Sequence, residues 1–107
     1  MINLNDFGKV EIKVGRVTQA ENVEKSEKLI RLQVDFGKED VKTIFTGVRP
    51  FGYAPEDFTD KQFLFVTNLE PRKMMGEESQ GMILAVDGDD KPFFITAKGL
   101  PLGAQVR

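Results

Sequence analysis

The chain has no histidine and no cysteine among its 107 residues. The first absence removes the commonest general base and the commonest metal ligand together. The second excludes disulfides and thiolate chemistry, which suits a cytosolic setting. Neither zinc-ligand spacing nor a Gly-rich phosphate loop with its lysine occurs. No apolar run approaches the ~20 residues that a membrane-spanning helix requires. Met1–Phe7 carries neither a basic n-region nor an apolar h-region, so we expect no secretory signal and a cytoplasmic location. Carboxylates gather where turns are expected, at Glu56, Asp57 and Asp60 and again at Asp87, Asp89 and Asp90. Acidic residues in turns are solvated loop formers before they are catalytic pairs. No catalytic residue, metal or cofactor is therefore assigned, and an enzyme with its own active site is not expected.

A block of positive charge is missing too. Residues 1–40 hold seven Lys/Arg against eight Asp/Glu, residues 41–81 five against six, and residues 82–107 three of each. With a net charge of −2, the composition lacks the footprint of a nonspecific nucleic-acid binder. Any basic face must be assembled in three dimensions from well-spaced cations.

What is present is a run of strand patterns within one domain-sized chain. Val10, Ile12 and Val14 alternate with Glu11 and Lys13, then parity breaks after Gly15, which predicts a bulge or sharp bend there. Ala20 to Lys28 is polar and reads as a loop. Ile30, Leu32, Val34 and Phe36 alternate again, Gly37–Asp40 is a hairpin tip, and Val41–Val48 is a third strand. Pro55-Glu56-Asp57 opens a short helix. Gln62–Thr67 is apolar on both faces, as a strand buried on both sides should be. Gly81–Val86 and Phe93–Thr96 complete the set. A bent first strand and a helix between the third and fourth strands predict an all-β, five-stranded Greek-key barrel of the oligonucleotide/oligosaccharide-binding (OB) fold. An open β-sandwich is the competing topology, but it needs no bend in strand one.

The segment Asn68–Met82 stands apart. It is longer than a hairpin turn, and long connections inside compact domains are functional or disordered. It carries paired cations at Arg72 and Lys73, methionines at Met74 and Met75, and a Ser79-Gln80-Gly81-Met82 close.

Along most of its length the chain resembles the structure-specific tRNA-binding domain family. The opening Asp6–Val17, then Ser26–Leu29, Thr46-Gly47-Val48, Tyr53–Phe58 and the whole of Asn68–Met82 carry the resemblance. The Asn-Leu-x-Pro-Arg-Lys-x-x-Gly-x-x-Ser-x-Gly-Met pattern is its most specific part. Many relatives have a His-Pro-Asn-Ala-Asp-Lys-Leu loop where this chain has Val23–Leu29. Only Lys28-Leu29 and an acidic residue, Glu27, remain, so contacts through that loop's histidine, proline or asparagine do not carry over.

The resemblance implies an OB barrel that grips the outer corner of the tRNA L-shape without reading sequence. It occurs as the C-terminal domain or β subunit of methionyl-tRNA synthetase, supplying tRNA to a catalytic partner, or as a free-standing tRNA-binding protein. An export-associated, chaperone-like branch that binds unfolded polypeptide shares the barrel but tends to lack the Ser-x-Gly-Met close. Implied RNA contacts are Lys28, Arg31, Asn68, Arg72, Lys73, Ser79, Gln80 and Met82, on a cationic wall bordered by the long segment. Ser79 is equally suited to capping a turn, Met82 to the core, and Asn68 to tying the segment to neighbouring backbone. Simple members are homodimers joined through residues 1–7 and 97–107. Here Ile2, Leu4, Phe7, Leu100, Leu102 and Val106 are available for that contact, or for plugging the barrel ends.

Overall fold

Period-two alternation decides which side chains of each strand turn inward. The computed structural model describes every residue from Met1 to Arg107. Strands β1 (Ile12–Asn22), β2 (Ile30–Asp35), β3 (Val41–Thr46) and β4 (Gln62–Val66) are followed by a short hairpin, β5 (Arg72–Met74) and β6 (Glu77–Ser79). Then come β7 (Met82–Ile83), β8 (Ala85–Asp87) and β9 (Pro92–Phe94). Five of them form one sheet in the order β3-β2-β1-β4-β7, every pair antiparallel. The sheet nearly closes into a barrel, the OB fold expected, with short helical turns at Arg49–Phe51 and Pro55–Asp57 between β3 and β4. Inside lie Val17, Ile30, Leu32, Val34, Ile44, Phe63, Phe65 and Ile83. Phe58, just after the second turn, is fully buried against Phe63, Phe94 and Tyr53 and plugs one end.

β1 serves both halves of the barrel, pairing with β4 through Ile12–Arg16 and with β2 through Arg16–Asn22. A strand shared this way must bend. The register slips between Val17 and Gln19, leaving Thr18 as the extra residue of a bulge. That position is three residues beyond Gly15, where the parity break predicts it. Gly15 itself stays in regular register with Phe63. A Cβ there would lie 2.6 Å from Val34 Cγ1 and 2.7 Å from a Phe36 ring carbon, so its glycine lets the core cross close to the backbone. β1 also continues to Asn22, because Gln19 and Glu21 pair with Gln33 and Arg31 on the outer face; the loop predicted from Ala20 starts at Val23.

The ends of the chain sit outside the barrel. A single-turn helix α1 (Leu4–Phe7), capped by Asn3 Oδ1 on the Asp6 N–H, buries none of its residues. Ile2 and Leu4 are 69% and 87% exposed, so neither plugs an end. The C-terminal stretch returns beside β1, the Gly103 and Val106 N–H groups donating to Val14 O and Ile12 O. No helix is long and apolar enough to cross a membrane.

Candidate nucleic-acid interface

The Asn68–Met82 segment is not a loose loop. Met75 and Gly76 both have left-handed backbones, φ 53° and 82°, which makes a two-residue turn of the kind that suits a hairpin's twist. Cross-strand pairs are Arg72 with Ser79, Lys73 with Glu78, and Met74 with Glu77. Since neighbours along a strand face opposite ways, Arg72 shares one face with Ser79 and Glu77, while Lys73 and Glu78 share the other. The two consecutive cations are therefore split across the hairpin.

The first face lies on the barrel wall formed by β2 and β3. Ser79 Oγ accepts a hydrogen bond from the Phe45 N–H at 3.1 Å and donates to Gly81 O at 3.2 Å. Next to it, the Gln80 N–H donates to Thr43 O, and Gln80 Oε1 accepts from the Thr43 N–H, both at 2.8 Å. One main chain and two side chains thus pair the otherwise open edge of β3. Gly81 then lets the chain pass directly into β7, at the sheet's other edge; a Cβ there would come 2.6 Å from Val66 O. Asn68 performs the matching task at the start of the segment: its Oδ1 accepts from the Glu11 N–H at 2.9 Å and its Nδ2 donates to Lys9 O at 2.7 Å. Asn68, Ser79 and Gln80 form the frame of the segment.

Arg31 is more engaged than its sequence position suggests. It faces outward opposite Phe45, its guanidinium 5.4 Å from that ring's centroid. Phe45 also faces out of the barrel yet is only 5% exposed, a consequence of the hairpin and Arg31 lying over it. The guanidinium grips the Glu77 carboxylate with two donors and reaches Glu21 Oε1 at 2.8 Å. Those hydrogen bonds, Glu77's first and Glu21's second, hold its pKa above the ordinary arginine value. Sequence reasoning passed over both carboxylates, which stand 46 and 10 residues from their partner. Glu21 could have been found, since the strand alternation places it opposite Arg31; Glu77 had no such signal.

The other cations expected at the interface are free. Lys28, Arg72 and Lys73 are exposed and form no ion pair. Lys28 sits on a built turn in which Ser26 Oγ accepts from the Lys28 and Leu29 N–H groups, each at 3.1 Å, and Arg49 donates to Ser26 O. Met82 pairs with Val66 and is 46% exposed, an apolar side chain outside the core. Between the hairpin tip and the turn after β1 lies a depression of about 370 Å³, whose charged lining is Glu21, Glu24, Glu77, Lys25 and Arg31. The wall is accordingly near charge balance and not the cationic wall expected, because Glu21 and Glu77 offset much of what Arg31 and Arg72 bring.

The fold and this segment agree with what the chain is similar to. Residues 12–105 match the family model described as "Putative tRNA binding domain". A methionine–tRNA ligase of Methanocorpusculum labreanum is 42% identical over 106 residues, 99% of this chain and 15% of the ligase. The chain spans only about a seventh of the length of such ligases. Among solved structures, a MetRS related protein from Pyrococcus horikoshii superposes with a TM-score of 0.93 at 39% identity, covering 100% of this chain and 98% of that one. The chaperone CsaA of Bacillus anthracis gives 0.85 at 28% identity, covering 100% and 99%. The chain belongs to the tRNA-binding domain family, as an OB-fold domain homologous to part of methionine–tRNA ligases and related to CsaA-like chaperones.

Proposed function

We propose that the chain is a non-catalytic, cytoplasmic module that holds folded tRNA by its outer corner, and that it delivers that tRNA to the catalytic part of a methionyl-tRNA synthetase. Family membership across residues 12–105 is the observation that carries this reading. Folded RNA is recognised largely by shape, phosphates and 2′-hydroxyls, which suits a wall with few specific donors. Lys28 and Arg72 make the phosphate contacts on the wall, Lys73 adds a weaker one from the hairpin's other face, and Met82 offers an apolar contact to a base or ribose. Asn68, Ser79 and Gln80 contribute by fixing the hairpin's position, and Arg31 contributes as far as Glu77 releases it. Similarity to a short stretch of a long ligase favours a domain or subunit, while similarity to nearly all of the Pyrococcus protein favours a free-standing form.

The assembly is a two-fold dimer. Ile2, Leu4, Phe7 and Leu100 are all exposed apolar residues that water disfavours, and they belong to the end segments 1–7 and 97–107. Two weak RNA faces on one dimer gain affinity through effective concentration. Sedimentation equilibrium at micromolar concentration should give twice the chain mass; a monomer there removes the avidity argument.

Filter binding tests the main reading. Mixed tRNA should be retained ahead of a single-stranded oligonucleotide and an unfolded polypeptide, and retention should fall steeply with salt. Preference for the polypeptide would favour the chaperone-like reading instead, which the 28% identity to CsaA supports.

A further inference from the structure

Outside the hairpin wall, three cations gather around one cleft, two of them without an ion pair. A cleft of about 490 Å³ opens at the start of β4, with no apolar residue in its lining. Arg16, Lys61 and Lys98 border it, against a single carboxylate, Asp60. Arg16 and Asp60 are 3.6 Å apart with side chains 49% and 71% exposed, a pair that solvent largely screens. Lys61 and Lys98 pair with no carboxylate, and the Thr96 hydroxyl has no partner.

The backbone adds a second, independent feature. Leu100 N–H donates to Ala97 O, closing a tight turn whose third residue, Gly99, has φ +79°. The Lys98 and Gly99 N–H groups inside that turn donate to nothing in the protein. Nothing lies within 4 Å of the place a Gly99 Cβ would occupy, so the backbone there is open to approach. Gln62 Nε2 pins the turn by donating to Ala97 O and Leu100 O, each at 2.9 Å. Successive free amides at a left-handed glycine, held rigid beside lysines, are the elements of an anion-binding concavity.

We propose that Arg16, Lys61, Lys98 and the Lys98–Gly99 amides form a phosphate-binding cleft that takes a phosphodiester stretch of the bound RNA away from the hairpin wall. This rests on the tRNA-binding reading above. The cleft stands at the Gln62 end of β4 and the hairpin departs from the Val66 end, at least about 13 Å away along the strand. A free phosphate or a phosphodiester would satisfy the same donors, so the test separates the two.

Inorganic phosphate is titrated into the ¹⁵N-labelled chain, and tRNA affinity is measured across salt for wild type and the Lys61→Ala/Lys98→Ala variant. The Lys98 and Gly99 amide resonances should move with phosphate in wild type and stay still in the variant. Losing two phosphate contacts should lower the slope of log K against log salt by about 1.4–1.8, so the affinity gap between the two proteins should shrink roughly tenfold from about 50 to about 200 mM salt. Amides that do not move overturn the cleft. Moving amides with an unchanged salt slope overturn its RNA role and leave a site for free phosphate. A wild type that binds no tRNA overturns both the RNA role and the proposed function, while the phosphate titration still reports on the cleft itself.

Discussion

Replacing Ser79 by alanine tests whether this residue closes the barrel or touches RNA. The residue is 5% exposed, and its hydroxyl accepts from Phe45 N–H and donates to Gly81 O. Removing it strands the Phe45 N–H under the hairpin. A buried donor left unsatisfied costs about 1–3 kcal/mol, the lower figure if water enters at the edge of β3. Against a total stability of about 5–15 kcal/mol this is a measurable fraction. With a urea m-value near 2 kcal/mol/M, the midpoint should fall by about 0.5–1.5 M while m itself stays constant. Affinity for tRNA, measured well below the unfolding transition, should stay within about twofold, because the residue is buried and its hydroxyl is bonded within the protein. A midpoint unchanged within error, together with a tRNA affinity down tenfold, would refute the closure argument and make Ser79 an RNA contact.

Glu77→Gln should raise tRNA affinity about two- to fivefold at low salt, since it removes an anion from the wall and frees one fork of Arg31. A loss measured by filter binding would mean that the ion pair is needed to hold the hairpin in place. Because Arg72 and Lys73 face opposite sides of the hairpin, Arg72→Ala should lower the salt slope by about 1 and Lys73→Ala by less than half as much. Equal losses would place RNA astride the hairpin. Glu11 is held below the ordinary carboxylate range, first by the hydrogen bond from the Thr67 hydroxyl at 2.5 Å, with Lys13 assisting and burial opposing. A depressed folded pKa adds stability above the unfolded value of 4.5 that disappears as pH falls through the folded one. Glu11→Gln should therefore cost under about 1 kcal/mol at pH 7, the side chain being 36% exposed, and the gap in thermal midpoint should narrow as pH falls below 4.5 and vanish once the folded carboxyl is protonated. A gap that does not change with pH across the acid limb would show that the loss is one of packing.

How much of this was legible depended on how far apart the interacting residues stand. β2 could be read because Ile30, Leu32 and Val34 answer to one core and need only their own period. The bend in β1 was visible as a parity break, but the bulge slid to Thr18 because Gly15 answers to Val34 and Phe36 packing across it, which no local pattern encodes. The β5–β6 hairpin was missed because Arg72–Met74 and Glu77–Ser79 show no apolar alternation, and Met-Gly is not the Asn-Gly or Asp-Gly pair that marks such a turn. Its position is set by Phe45, Arg31 and the edge of β3, each bonded to a residue 34 or more positions along the chain. The family motif located the segment but not its faces. Arg72 and Lys73 look like one patch in the sequence and become two in the structure.

Separation in space also decides how a protein of net charge −2 accommodates a polyanion. At physiological salt the Debye length is about 8 Å, so carboxylates on remote parts of the barrel scarcely reach a bound phosphate. What matters is each cation's immediate surroundings. Arg31 has two carboxylates in contact and Arg72 has Glu77 two residues along its own face of the hairpin, whereas Lys61 and Lys98 have none within ion-pair distance. Composition averages over these cases and reports them all as one small negative number. Local neutralisation on the hairpin wall also means that shape and position, more than attraction, select the ligand there. An extended polyanion without the corner of folded tRNA would find few free charges on that wall to hold it.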